Sequence, residues 1–190
     1  MGRNTWRAAI GLLAAAALLV VPGVASAADE AGKADASQRP VLSAEDIATN
    51  GINVNAVYYL RNRHSNKCLE IYGWSQANGG LAVQWDCHYG NNQLWRFIQH
   101  ADGYYSLQNV NSNKCLDVYG WSTANGAQIV QWDCHWGDNQ RWWEAFPGNS
   151  TLRYISKFSG KSLETYGWSL NNGGAVVQWD WHGGNNQRWY

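Results

Sequence analysis

Residues 130–142, VQWDCHWGDNQRW, place three tryptophans, a cysteine, a histidine, two aspartates and an Asn-Gln pair within thirteen positions. Indole faces pack on patches of C–H groups, and carboxylate, amide and imidazole groups exchange hydrogen bonds with hydroxyls that both donate and accept. A sugar ring offers both surfaces at once, so this stretch carries the parts of a saccharide site. Other chemistries fit less well. A structural zinc site would use C-x-x-C or similar spacing, which is absent. No nucleophile elbow or metal motif is visible. Carboxylates such as Glu70 and Asp86 could in principle form an acid and base pair, but a catalytic set is not expected in three diluted copies.

Three copies are what the chain contains, and they set how such residues can be positioned. Gln93, Gln140 and Gln187 each stand two before a tryptophan (Trp95, Trp142, Trp189), 47 residues apart. Lys67-Cys68-Leu69-Glu70 returns as Lys114-Cys115-Leu116-Asp117 and as Lys161-Ser162-Leu163-Glu164. Tyr-Gly-Trp-Ser recurs from Tyr72, Tyr119 and Tyr166, and Gln-Trp-Asp from Gln84, Gln131 and Gln178. Lys67–Trp95 and Lys114–Trp142 share 20 identities in 29 positions, so one unit is used three times, over about 53–99, 100–146 and 147–190. Within a unit the pattern is of short strands, with almost no helical period. Asn78-Gly79, Asn125-Gly126 and Asn172-Gly173 each precede an apolar run, the pair best able to place both central hairpin residues at positive φ. Three units are too few for a usual propeller, and neither outer copy has the polar face of a solenoid cap, so an all-β closed threefold domain is expected.

Arg3 and Arg7, the apolar run Ala8–Val21 and Ala25-Ser26-Ala27 read as a secretory signal peptide over 1–27. Residues 28–52 carry no aromatic side chain and read as a flexible leader or pro-segment. The expected product is exported, extracellular and monomeric. The apolar run is short of the roughly 20 residues that span a bilayer, so no membrane insertion is expected. Fourteen Lys and Arg balance 14 Asp and Glu without clustering, which argues against nucleic acid as a partner. Four cysteines in an exported chain suggest two disulfides, and the repeat selects Cys68 with Cys87 and Cys115 with Cys134. Each would close a loop of about twenty residues, worth roughly 3 kcal/mol. His88, His135 and His182 share the 47-residue spacing, but threefold placement holds them on separate lobes, so neither a shared metal nor another cofactor is expected.

The three Gln-x-Trp copies, opened by Lys-Cys-Leu-Asp-like and closed by Asn-Gln-x-Trp text, resemble the ricin B-chain-like lectin family across essentially all of 53–190. The resemblance implies a β-trefoil of twelve strands in which Trp95, Trp142 and Trp189 meet in a shared core. It also implies three carbohydrate pockets, each with an acid after the first cysteine, an aromatic platform before the second, a histidine and the Asn-Gln pair. In the middle copy these are Asp117, Trp132, His135, Asn139 and Gln140. In the first they are Glu70, Trp85, His88, Asn92 and Gln93, and in the third Glu164, Trp179, His182, Asn186 and Gln187. The kinks at Tyr72-Gly73, Tyr119-Gly120 and Tyr166-Gly167 would floor the pockets.

Only Asp117 keeps the usual acid of the family; Glu70 and Glu164 are one methylene longer, and Ser162 and Trp181 stand where the third copy would have cysteines. The middle site therefore ranks first. Several roles stay open on sequence alone. Strand alternation puts Trp132 on the face of Val130 and Cys134, toward the core unless the strand bends. Gln140 could hold Trp142 in place or touch sugar, and Trp74, Trp121 and Trp168 are either a lid on the core or contact surface. Asp86, Asp133 and Asp180 read as turn stabilisers. The function expected is that of a non-catalytic lectin for galactosides, xylan-like polymers or cell-surface and cell-wall glycans. A trefoil used against proteins, such as a protease inhibitor, is the alternative, disfavoured because no copy carries a protruding loop.

Overall fold

Short strands and tight turns leave each unit unable to bury its own apolar face, and the tertiary structure is the joint solution of the three. The structure, a computed structural model, describes residues 57–190. The expected signal peptide (1–27) and leader (28–52), with residues 53–56, lie outside the described residues. Eleven strands follow in order: β1 Val57–Tyr59, β2 Cys68–Ile71, β3 Gly80–Trp85, β4 Leu94–Gln99, β5 Tyr105–Asn109, β6 Cys115–Val118, β7 Ile129–Trp132, β8 Trp142–Ala145, β9 Arg153–Ser156, β10 Ser162–Thr165 and β11 Gly174–Trp179. Among the described residues the only helical pieces are 3-10 turns of three residues, and none is long and apolar enough to cross a membrane.

The outer strands of the units close a barrel: β1 pairs β4, β4 pairs β5, β5 meets β8 and β8 pairs β9, all antiparallel. Trp189 completes it with single bridges to Asn62 and Leu152. A twelfth strand was expected there; residues 188–190 make isolated bridges instead of a ladder, so the count is eleven. The inner strands form the hairpins β2–β3, β6–β7 and β10–β11, whose second members touch one another through β3–β7, β3–β11 and the Gln128–Val177 bridge. This is the β-trefoil, an all-β fold with a threefold axis through barrel and hairpins.

Trp95, Trp142 and Trp189 are fully buried in the common core with Leu69, Leu116 and Leu163. Each indole N–H donates to the backbone carbonyl of the leucine in its own copy, Leu69, Leu116 or Leu163, at 3.2 Å, so a large apolar ring is buried without an orphaned donor. The second turn of each unit differs from the expectation. Gly79, Gly126 and Gly173 have φ near +80°, but their Asn partners do not have positive φ. Gly80 N–H donates to Ala77 O across the turn, as in a type II turn rather than the mirror-image hairpin turn. The asparagine side chain is thereby released for another task.

That task is joining copies. The side-chain amide of Asn78 donates to Asp133 and its Oδ1 accepts the Asp133 N–H; Asn125 does the same with Asp180, and Asn172 with Asp86. The buried Gln131 amide donates to Ser75 and Ala77 carbonyls of the preceding copy while its carbonyl accepts from Ser112; Gln178 and Gln84 repeat this around the ring. Asp86, Asp133 and Asp180 also pair with Lys67, Lys114 and Lys161. They are structural clamps, held below the usual carboxylate range first by the lysine hydrogen bonds and then by the asparagines.

The disulfides are Cys68–Cys87 and Cys115–Cys134, as the repeat selects. In the third copy the guanidinium groups of Arg153 and Arg188 pack on the Trp181 ring, 4.5 and 5.4 Å from its centroid, and Arg153 donates to Ser162. Two cation–π contacts thus occupy the place of the missing bridge.

Candidate functional site

Each of β2, β6 and β10 runs out into Tyr-Gly-Trp, residues 72–74, 119–121 and 166–168. The glycines and also the tryptophans of these turns are left-handed, with φ of 57°, 54° and 57° at Trp74, Trp121 and Trp168. Left-handed backbone costs a bulky residue on the order of 1 kcal/mol or more, and its presence in all three copies marks a place where side-chain direction matters more than local stability. The strain aims two rings outward: Tyr119 is 54% exposed and Trp121 48%, with nearly the same values at Tyr72, Trp74, Tyr166 and Trp168.

The platform tryptophans come from the other side. Gln128, Val130 and Trp132 alternate onto one face of β7 and its lead-in, while Ile129 enters the core. The face shared with Val130 is therefore the outer one, which corrects the expectation that Trp132 would need a bend to reach solvent. Val130 is buried, but outside the central apolar cluster. Trp132 is exposed, Trp85 and Trp179 half-buried. Each leans on the tyrosine of its own copy, with centroids 5.9 Å apart for Tyr72–Trp85, 6.2 Å for Tyr119–Trp132 and 5.9 Å for Tyr166–Trp179.

Between the rings sits one carboxylate. Asp117 is nearly buried: Oδ1 accepts from Asn139 Nδ2 (3.0 Å), and Oδ2 from Gln140 Nε2 (2.9 Å), with His135 Nε2 at 3.3 Å. Glu70 uses only Oε2, accepting from Gln93 (2.8 Å) and His88 (3.0 Å), and Glu164 likewise from Gln187 (2.8 Å) and His182 (3.1 Å). In those copies Asn92 and Asn186 donate to the Ile71 and Thr165 carbonyls, and the glutamine and histidine share one carboxylate oxygen. The extra methylene of glutamate thus changes the connectivity, not only the reach. Burial raises the Asp117 and Glu164 pKa values, opposed first by the Gln140 hydrogen bond in one and by His182 in the other.

The histidines are oriented from both ends. Nδ1 of His88, His135 and His182 accepts the N–H of Gly90, Gly137 and Gly184, so in the neutral ring Nε2 carries the proton toward the carboxylate. Each ring packs against the turn tryptophan at 5.8–5.9 Å, nearly parallel for Trp74–His88 and Trp121–His135. A Cβ at Gly137 would lie 2.7 Å from the Trp121 ring, so that approach requires glycine.

Three hollows result, about 480 Å³ at Glu70, 340 Å³ at Asp117 and 310 Å³ at Glu164. In each copy the expected acid, platform tryptophan and histidine meet. Gln93, Gln140 and Gln187 lie fully buried beneath, their amides donating to the carboxylate and to a backbone carbonyl and their Oε1 accepting from the histidine backbone N–H. Asn139 borders its hollow, whereas Asn92 and Asn186 are enclosed. The sequence reading gave the Tyr72-Gly73, Tyr119-Gly120 and Tyr166-Gly167 kinks as pocket floors and left Trp74, Trp121 and Trp168 open; the tyrosine and tryptophan rings line the hollows in all three copies. Their shared 47-residue spacing with the platform was the available signal.

Comparison with known proteins follows this geometry. The profile of the ricin-type β-trefoil lectin domain-like family matches residues 46–132 and 91–179, and the chain belongs to that family. Among solved structures, the designed threefold-symmetric protein ThreeFoil is 37% identical, with TM-score 0.69 over 70% of this chain and 95% of its own. An exo-β-1,3-galactanase from Clostridium thermocellum is 32% identical, with TM-score 0.68 over 70% of this chain, which spans 29% of that enzyme. A ricin B-like lectin from Macrolepiota procera in complex with lactose shares the fold at 20% identity, TM-score 0.62, over 73% of this chain and 95% of its own. A search of curated proteins finds no match to the sequence.

Proposed function

We propose that the protein is an exported, monomeric, non-catalytic lectin that binds carbohydrate through the three hollows. One observation carries the reading: in each copy a nearly buried carboxylate, fixed by a glutamine and a histidine, lies between outward-facing tyrosine and tryptophan rings. The rings offer apolar contact to C–H patches of a pyranose, and the carboxylate and histidine face its hydroxyls. The contacting residues are Asp117, Trp132 and His135 with Asn139 at the middle site, and Glu70, Trp85, His88 and Glu164, Trp179, His182 at the outer ones. Gln93, Gln140 and Gln187 act as positioning residues. Tyr119 and Trp121 with their counterparts complete the walls.

A single carboxylate lines each hollow, whereas glycoside hydrolysis generally uses two, which supports binding without turnover. The family membership and the lactose-bound fold relative favour saccharide as the ligand class, within which galactosides, xylan-like polymers and cell-wall glycans all fit open, shallow sites. One such site reaches about millimolar affinity, near −4 kcal/mol, and three on a polymer or glycan-coated surface gain roughly 10² to 10⁴ by avidity. Isothermal titration and a glycan array with Trp132→Ala and Asp117→Ala test the assignment. Binding that both substitutions weaken is expected; no glycan bound, or binding that ignores both, overturns it.

A further inference from the structure

A second hollow of about 340 Å³ adjoins the middle site and straddles two copies. It shares Tyr119 and Trp132 with that site, and adds Leu81 and Gly79 from the first copy and Gln128 and Val130 from the middle one. Strand geometry explains the assembly. Leu81 on β3 is directly opposite Val130 on β7, so both point to one face, and Gln128 and Trp132 flank Val130 on that face. The Trp132 ring reaches across the boundary toward Gly79, where a Cβ would lie 3.9 Å from its edge.

The hollow breaks the threefold symmetry. Leu81, Gln128 and Ala175 occupy the same position in the three copies, so only the boundary between the first and middle copies sets a large apolar side chain against an amide. Leu81 is 43% exposed, an apolar surface that the fold itself does not cover. The Gln128 side chain, half-buried, makes no hydrogen bond among the described residues, whereas Asn78 nearby is committed to Asp133. A free amide both donates and accepts, which matches a hydroxyl, and Leu81, Tyr119 and the Trp132 edge supply the apolar bed for ring C–H groups.

We propose that this hollow is a second subsite, taking the sugar unit next to the one held at Asp117, so that the middle site reads a disaccharide or longer chain where the outer sites read one unit. The proposal rests on the saccharide reading of the Asp117 hollow. Its test uses the full chain carrying Trp85→Ala and Trp179→Ala to silence the outer sites, titrated with galactose, xylose and glucose and their matched di- and trisaccharides. Thermal melts check that each variant is folded. Expected is a disaccharide of one series binding about tenfold tighter than its monosaccharide, a gain that Gln128→Ala and Leu81→Asp erase while monosaccharide affinity stays within about twofold. Monosaccharide binding with no chain-length gain, or a gain that survives both substitutions, overturns the subsite and leaves the lectin reading standing. No saccharide bound at all overturns both.

Discussion

The middle and third copies of the unit are built from nearly the same text and solve two problems differently. The middle copy ties its hollow with the Cys115–Cys134 disulfide, engages both oxygens of Asp117 and carries Glu144 inside the barrel, where the first copy has Phe97. The third copy replaces the disulfide with Trp181 packed against two guanidinium groups, and Glu164 takes both the glutamine and the histidine on one oxygen. Backbone and hollow survive these exchanges. What the fold conserves is the shape around the carboxylate, and what it lets vary is how that shape is secured.

Substitutions at these positions sharpen the contrast. The largest effect is expected at Glu144, a 7% exposed carboxylate with Oε1 unpartnered and its pKa pushed up to about 8 by burial. Its unfolded value is near 4.5, so between pH 4.5 and 8 the folded protein holds the extra proton and stability falls as pH rises. At about 1.4 kcal/mol per unit the loss is on the order of 4–5 kcal/mol by pH 8. Urea denaturation at pH 5 and pH 8.5 checks this: Glu144→Gln flattens the pH dependence, and an unchanged slope removes Glu144 as its source.

Next, replacing Cys115 and Cys134 together by alanine costs about 3 kcal/mol in the same assay. At third rank, exchanging Asp117→Glu in a protein with silenced outer sites replaces the Asn139 contact to Oδ1 with the outer-site arrangement and shifts saccharide affinity by about tenfold toward that of an outer site. An identical ligand profile would mean the methylene is irrelevant to recognition. The smallest change is Trp181→Ala, which removes two cation–π contacts and costs about 1–2 kcal/mol by thermal denaturation, less than the disulfide it stands in for.

Much of this was readable beforehand. The 47-residue period carried the number of units and the cysteine pairing, because both depend on residues that recur in register, and the family resemblance implied the shared burial of Trp95, Trp142 and Trp189. Other features escaped. Gln131 recurs in register with Gln84 and Gln178, yet its partners Ser75 and Ala77 belong to the preceding copy, at sequence separations of 56 and 54. Asn78 looked like half of a hairpin turn and instead fastens Asp133. Alternation ran true along β7, but which face was outer depended on the packing of the common core, which takes Ile129.

The sequence by itself determined the threefold unit, its strands, its cross-links and the saccharide-type chemistry of its side chains, since local spacing and residue type suffice for these. Only the tertiary structure decided that the glutamines lie under the carboxylates, that tyrosine and turn tryptophan wall the hollows, and that Leu81 meets Gln128 at one boundary alone. The first two arise from how distant parts of one copy fold onto each other and the last from where copies touch, and a repeat written along the chain records neither kind of contact.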